Sequence, residues 1–299
     1  MLSAGIFLCF MLGMLTHADL STSYAFQGLT VWARHAVPSL FPYMLLSGVI
    51  VRMGLADRFA SILHPVLGRV YRCSKAGVYV IFTGFLCGFP MGSRTISELR
   101  QRGELSKREA RFLLSFCNNL GPAYLCGFVL PSLEIKNAWI ALAGAYGLPL
   151  CYGILLRNTV FRGSFQEKEE KKVLPCASFP EAFSQSLQSA IQGILTLGGY
   201  VVIFCLLNLI PHVLTGKPFP FLGPLFEITT GIMALSNALP VYTLTAISFG
   251  GLSCIAQTFD SLKGGDLKEY LGEYCLHKAF LALLTLGYYG IILRFSSLF

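Results

Sequence analysis

One stretch of this chain restricts its fold more than any other: an apolar run, residues 84–95, that glycines and a proline interrupt. It reads Gly-Phe-Leu-Cys-Gly-Phe-Pro-Met-Gly-Ser-Arg-Thr. Because proline lacks a backbone N–H and glycine weakens a helix, the run exposes backbone groups that lipid cannot satisfy. A membrane protein tolerates such a segment only inside protein or beside a polar cavity. We therefore expect it to form half of a substrate-binding site.

The composition indicates the class of protein. Of the 299 residues, 54% are hydrophobic and only 13% are charged, which is too apolar for a soluble domain of this size. Several apolar stretches reach the roughly 20 residues that span a bilayer. The net charge of +8 comes from Lys and Arg at the ends of apolar segments and in two short loops, as the positive-inside rule expects. We predict an all-α, polytopic membrane protein that contacts the lipid bilayer and has no nucleic-acid partner.

No pattern in the sequence is typical of a metal site or of an enzyme. The ten cysteines include no CxxC pair, and the five histidines include no pair four residues apart. An HExxH pair and paired intramembrane aspartates are also absent from the sequence. We expect no bound metal, no cofactor, no catalytic residue and no enzymatic activity.

The order of apolar and polar segments predicts four parts. Residues 1–23 are expected to form a retained N-terminal transmembrane helix, because they lack the basic start and the cleavage site of a signal peptide. Residues 24–156 form a first repeat. Residues 157–180, with a run of Glu and Lys, are a charged linker loop, and residues 181–299 form a second repeat.

The two repeats are predicted to have opposite orientations. Sliding the chain by 162 residues places Gly88 over Gly250 and aligns an apolar run, a glycine break and a short polar helix in both halves. Residues 94–111 carry six Lys/Arg, whereas residues 260–278 carry three. By the positive-inside rule the first of these polar tips faces the cytoplasm and the second faces away. Two inverted-topology repeats, each with a broken re-entrant helical hairpin, are typical of secondary transporters.

Polar side chains in the broken apolar segments are the candidate substrate contacts. Asn118 and Asn119 lie within an apolar span, where amides are costly unless bonded; a purely structural interhelical hydrogen bond is the alternative. Glu227 begins another apolar stretch, and we expect it to be protonated during transport, to couple a proton or cation, or to pair with an arginine such as Arg94. The predicted substrate-binding residues are Gly88, Pro90, Ser93, Asn118, Asn119, Glu227, Thr229, Thr230, Ser253 and Gln257.

Three motifs in this order carry a family resemblance: residues 88–92 (Gly-Phe-Pro-Met-Gly), 117–119 (Cys-Asn-Asn) and 226–231 (Phe-Glu-Ile-Thr-Thr-Gly). With them the chain resembles the YlbJ-type sporulation integral membrane proteins, which carry the nucleoside-recognition Gate domain that is also seen in concentrative nucleoside transporters. The resemblance runs from about residue 38 to the last span. It implies a spore-forming Firmicute and the movement of dipicolinic acid across the outer forespore membrane.

The chain departs from the family pattern at Ser93-Arg94 and at Leu120-Gly121. Two alternatives to dipicolinate transport therefore stay open. In the first, Glu227, Asn118 and Asn119 hydrogen-bond a nucleoside or nucleobase, as the Gate resemblance suggests. In the second, the chain is a membrane scaffold of spore formation that transports nothing. The coupling ion, H⁺ or Na⁺, and a homo-oligomeric state are also left open by the sequence.

Overall fold

A computed structural model of the protein describes residues 2–165 and 176–295. All the regular structure of these residues is helical, which confirms the predicted all-α class. The helices are α1 (Leu2–Thr16), α2 (Ala18–Val31), α3 (Val37–Arg52), α4 (Ala56–Tyr71), α5 (Lys75–Leu86), α6 (Met91–Gln101), α7 (Lys107–Leu114), α8 (Pro122–Tyr124), α9 (Leu130–Ser132), α10 (Ala138–Leu142), α11 (Leu148–Asn158), α12 (Phe179–Leu206), α13 (Leu209–Thr215), α14 (Gly223–Phe226), α15 (Ile228–Leu235), α16 (Pro240–Phe249), α17 (Gly251–Leu262) and α18 (Leu271–Phe295).

Short π-helical turns join several of these helices into longer rods. They lie at Trp32–Ala36, Leu125–Val129 and Ala143–Gly147, and they connect α2 with α3, α8 with α9, and α10 with α11. Three helices of the described chain are long and apolar enough to cross a membrane: Ala138–Asn158, Phe179–Thr215 and Lys268–Ile292. A fourth span results if the rod Ala18–Arg52 is counted with the residues before it, which bend away from it by 102°.

Two long helices pack side by side and in opposite directions. Trp32 donates from its indole nitrogen to the carbonyl oxygen of Ile194 at 2.8 Å, and Arg52 donates to the hydroxyl of Ser186 at 3.1 Å. As residue numbers rise from Trp32 to Arg52, those of the contacted residues fall from Ile194 to Ser186. The two long helices are therefore antiparallel. A Cβ on Gly28 would lie 3.0 Å from the Cα of Val202, so glycine permits the close approach of the two backbones.

The glycine- and proline-interrupted run forms a tight turn between α5 and α6, which pack against each other as an antiparallel pair. We call α5, residues 87–90 and α6 the first hairpin. Its two arms leave no room beside the neighbouring backbone: a Cβ on Gly84 or Gly92 would lie 1.9 Å or 2.1 Å from the carbonyl oxygen of Cys117. That carbonyl belongs to residues 115–121, which follow α7 without helical structure and which we call the unwound segment.

A second, shorter hairpin consists of α14, Glu227 and α15. Its arms are in backbone contact, because a Cβ on Gly231 would lie 2.1 Å from the nitrogen of Pro224. The turn of this second hairpin and the turn of the first line the same small cavity through Glu227 and Phe89. The turns of the two hairpins therefore meet at this cavity.

The predicted alignment of Gly88 with Gly250 matches two helix breaks, but the two breaks differ in shape. Gly88 reverses the chain, but Gly250 and Gly251 join α16 and α17 without reversing it. On both sides of the two glycines the chain follows the same helix, α18: Thr285 donates to Ser248 of α16 at 3.0 Å, and Thr258 of α17 donates to Tyr274 at 3.4 Å. The chain reversal in this part of the chain lies earlier, at Glu227.

The predicted placement of the two polar tips on opposite sides of the membrane is wrong. Residues 94–111 and 260–278 meet in a ladder of ion pairs: Arg100 with Asp266 at 2.8 Å, Lys107 with Glu269 at 2.6 Å and Arg111 with Glu273 at 2.7 Å. The acids of the second tip lie opposite the bases of the first. Both tips therefore share one end of the molecule, which we call the basic end.

Other segment boundaries differ in detail from the sequence prediction. The helix that follows the N-terminal one begins at Ala18, so the boundary predicted after residue 23 lies inside α2. The predicted linker begins and ends close to the last residue of α11 and the first of α12. Its charge run, residues 167–172, lies outside the described residues.

Candidate functional site

The turn of the first hairpin requires glycine for two reasons. Gly88 has a φ of +84°, in the left-handed region that side chains disfavour. A Cβ at this position would also lie 2.6 Å from the backbone nitrogen of Gly121. The turn can thus lie directly on the unwound segment.

Asn118 holds the unwound segment to three other elements. Its side-chain oxygen accepts from the Ser93 N–H at 3.4 Å, and its amide nitrogen donates to the hydroxyls of Thr258 and Tyr274 at 2.9 Å and 3.1 Å. Asn119 donates to the carbonyl oxygen of Phe116 at 2.6 Å. Both amides are buried and line neither cavity described below. The structural role that the sequence left as an alternative is therefore the one that the geometry favours for both asparagines.

Glu227 caps the second arm of the second hairpin. Its Oε2 accepts from the Thr230 N–H at 2.8 Å, which satisfies one of the free donors at the start of α15. Next to it, the hydroxyl of Thr229 accepts from the Tyr124 hydroxyl at 2.6 Å. Among the described residues no basic side chain forms an ion pair with Glu227.

The two hairpin turns enclose a small cavity of about 60 Å³, which we call the inner cavity. Three of the predicted site residues line it: Glu227, Thr229 and Gln257. Phe89 and Tyr124 supply aromatic walls. Ser253 lies behind Gln257 and accepts from its amide nitrogen at 3.0 Å, so it orients a side chain that faces the cavity. The inner cavity thus combines a carboxyl group, an amide and a hydroxyl with apolar and aromatic walls. Its volume is well below that of ordinary ligand pockets, so a guest at the hairpin turns would also occupy part of the adjoining space lined by Gln257 and Leu197.

A larger cavity of about 460 Å³, here called the vestibule, extends from this site to the basic end. Gln257 and Leu197 line both cavities and so connect them. Pro90 lines the vestibule close to the turn, and Asp260 and Lys263 line it near the basic end. A guest can therefore approach the two hairpin turns through the vestibule.

The remaining predicted residues are not at these cavities. Ser93 is fully buried and donates to the carbonyl oxygen of Pro90 at 2.9 Å. Thr230 faces the other way and lines a third cavity of about 310 Å³ with Tyr24 and His212. Thr229 and Thr230 of the second hairpin thus lie between the inner cavity and the third one.

Two cationic residues of this region were missed as site residues by the sequence analysis. Arg94, which was considered only as a partner for Glu227, instead donates to the carbonyl and hydroxyl oxygens of Ser189 at 2.8 Å and 2.5 Å, and its guanidinium lines the vestibule. Lys278, which was counted only as a charge of the polar tip, is 2% exposed in the centre of the molecule. An arginine inside a glycine-broken apolar run and a lysine inside a transmembrane span were the signals that could have identified them.

Two comparisons with known proteins bear on this site. Residues 33–134, which include the first hairpin and the unwound segment, match the Gate family model, described as nucleoside recognition. Over 316 aligned residues, 90% of this chain and 77% of the relative, the chain is 25% identical to the sporulation integral membrane protein YlbJ of Bacillus subtilis. No solved structure shows a significant match. The resemblance inferred from the three motifs is confirmed, and neither similarity is to an enzyme, in agreement with the prediction that this integral membrane protein is not one.

Proposed function

We propose that this protein is a secondary transporter of a small organic anion. The observation that carries the proposal is the position of the inner cavity, between two hairpin turns in the middle of an apolar helical protein, with a polar vestibule leading to it from one end. Transporters bind their substrates where broken helices meet near the bilayer midplane. In this arrangement the vestibule is the open path, and Thr229 and Thr230 are part of the barrier toward the third cavity.

The orientation in the membrane follows from the basic end. Arg100, Lys107 and Arg111 lie there, and the positive-inside rule assigns such an end to the cytoplasm. The first hairpin then enters from the cytoplasmic side and the second from the opposite side. We therefore retain two halves of opposite topology, now with Glu227 rather than Gly250 at the turn of the second hairpin.

Arg94 makes an anionic substrate the first choice. Arg94 lines the vestibule and donates to two oxygen atoms of Ser189, while the nearby acid in the same lining, Glu98, pairs with Arg52 at 3.3 Å. The fork of N–H donors on arginine matches a carboxylate in two parallel hydrogen bonds. Dipicolinate, the aromatic dicarboxylate that the family resemblance implies, has two such groups. The corresponding location would be the outer forespore membrane.

The inner cavity gives a specific reason to keep a second candidate, a nucleoside. Glu227, Thr229 and Gln257 present acceptors and donors suited to hydroxyl groups and base edges. A carboxyl group without a cationic partner repels a dianion when it is ionised, whereas it can accept hydrogen bonds from ribose. The Gate match over residues 33–134 agrees with this choice.

Binding to the purified protein in nanodiscs separates the two candidates. Saturable dipicolinate binding that weakens about tenfold in Arg94→Gln, because one charge-assisted hydrogen bond is lost, supports the anion carrier. Arg102→Gln is the matched control, since Arg102 pairs with Glu104 at 2.9 Å and lines neither cavity. Nucleoside binding that is lost in Gln257→Ala instead favours the second candidate. If neither dipicolinate nor a nucleoside binds, both candidate functions are contradicted.

A further inference from the structure

Lys278 occupies an unusual position for a lysine. It lies on α18 at the level of the unwound segment, and its side chain is buried together with the turn of the first hairpin. The ammonium group donates to the carbonyl oxygen of Asn118 at 3.1 Å and to the side-chain oxygen of Asn119 at 3.4 Å. It also lies 4.7 Å from the centre of the Phe89 ring. Within the described part of the chain, no carboxylate forms an ion pair with it.

Two oxygen atoms and an aromatic face are partners that a buried ammonium group can use. A buried charge without a counter-ion is stable only when oxygen atoms or aromatic faces replace its hydration shell. The unwound segment in turn gains a hydrogen-bond donor from the lysine, because the Asn118 carbonyl has no helical N–H partner. One turn before Lys278 on the same helix, Tyr274 binds the Asn118 side chain. Helix α18 thus holds the unwound segment by two residues.

The same ammonium group connects three elements that build the site. Asn118 and Asn119 belong to the unwound segment, Phe89 belongs to the turn of the first hairpin and lines the inner cavity, and Lys278 itself belongs to the last span. Removing the charge would leave two oxygen atoms facing each other across a buried gap next to the turn. Water or a small cation from solution could fill such a gap, but only the cation would also replace the lost charge.

We propose that Lys278 is a tethered cation: its ammonium group fills, between the first hairpin and the unwound segment, a monovalent-cation site that would otherwise need an ion such as Na⁺. The protein then assembles its site without a bound alkali ion at this place. Truncating the lysine should create a real cation site, lined by the oxygens of Asn118 and Asn119 and by the Phe89 ring. This inference concerns the assembly of the helices and does not depend on which substrate is transported.

The test is the cation dependence of thermal stability in the full-length protein in detergent. Wild type, Lys278→Ala and the control Lys268→Ala, an exposed lysine at the start of the same rod, are heated in choline, sodium or methylammonium chloride at equal ionic strength. We expect the unfolding midpoint of wild type and of Lys268→Ala to be the same in all three salts. Lys278→Ala should unfold about 5 °C or more lower in choline and recover, with a saturable dose dependence, in sodium or methylammonium.

A second variant separates cation binding from simple loss of packing. In Lys278→Met the apolar side chain fills the gap, so this variant should be destabilised and should not recover in any salt. A Lys278→Ala protein that is no more stable in sodium or methylammonium than in choline, or that folds in none of them, overturns the proposal. Saturable stabilisation of wild type by sodium alone also overturns it, since the site would then already hold an exchangeable ion.

Discussion

Two helix breaks lie on either side of the inner cavity, and they are built by opposite means. The break after α7 leaves residues 115–121 without helical structure, whereas the break between α16 and α17 consists of two adjacent glycines. Asn118, Asn119 and Lys278 satisfy the polar groups of the long break. At the short break, Gly250 and Gly251 have φ values of +98° and +67°, so backbone conformation alone interrupts the helix.

The difference shows what each kind of break demands from the rest of the protein. A long break frees several carbonyl and N–H groups, which must find partners on other elements because lipid offers none. A two-glycine break frees few and needs only residues without a Cβ. The long break should therefore be sensitive to substitutions in distant elements, and the short one only to substitutions at the glycines themselves.

The largest effect is expected from Gly84→Ala in the first hairpin. The new Cβ would lie 1.9 Å from the carbonyl oxygen of Cys117, so the hairpin must separate from the long break. We expect a loss of about 3 kcal/mol or more in unfolding free energy, or failure to fold. The unfolding midpoint in detergent measures it, with Gly127→Ala as control because nothing lies within 4 Å of its Cβ position. Equal midpoints for the two variants would show that the close packing of the first hairpin is not needed.

Asn118→Ala tests whether the long break depends on its side-chain bonds. The substitution removes the links to Ser93, Thr258 and Tyr274 and leaves buried groups without partners. We expect a loss of about 2 kcal/mol, again measured as a lower unfolding midpoint. Asn237→Ala is the matched control, since Asn237 is exposed and bonds only Glu134. A similar midpoint for both asparagine variants would remove the contrast between the two breaks.

Much of the fold could be predicted from the sequence, because composition and segment length decide it. The apolar content predicted the all-helical membrane class, and the glycine- and proline-interrupted run predicted a break in the apolar segment that must be buried in protein. The pairing of the halves could not be predicted in the same way. Gly88 reverses the chain while Gly250 only interrupts a helix, and both occur in apolar runs with hydroxyl residues nearby. Whether a glycine reverses the chain or only interrupts a helix depends on the element that packs against it.

The site could be predicted only in part, for a related reason. Glu227, Thr229 and Gln257 stand out as polar residues in apolar segments, and all three line the inner cavity. Asn118 and Asn119 stand out equally, but they bond other elements of the protein. Sequence position shows that a buried polar group needs a partner, and it does not show whether that partner is protein or substrate.

Gly250→Ala is expected to have a smaller effect than either substitution above. A left-handed backbone conformation disfavours alanine by about 1–2 kcal/mol, and the new Cβ would lie 3.1 Å from the Phe89 ring. Gly250→Asn brings the same Cβ but tolerates the conformation better, so it should be the more stable of the two. Their unfolding midpoints therefore separate backbone strain from contact with Phe89. Equal midpoints would assign the whole effect to that contact.

The smallest effect is expected in the ion-pair ladder that connects the two polar tips at the basic end. Arg111 donates to Glu273 at 2.7 Å, and both side chains are partly exposed. Exposed pairs of this kind contribute less than about 1 kcal/mol and are screened by salt. Arg111→Glu or Glu273→Arg should therefore lower the unfolding midpoint slightly, and the double exchange should restore much of the loss at low ionic strength. If the double exchange restores nothing, the contact of Arg111 with the Tyr270 ring, 5.0 Å away, would be what holds the two tips together.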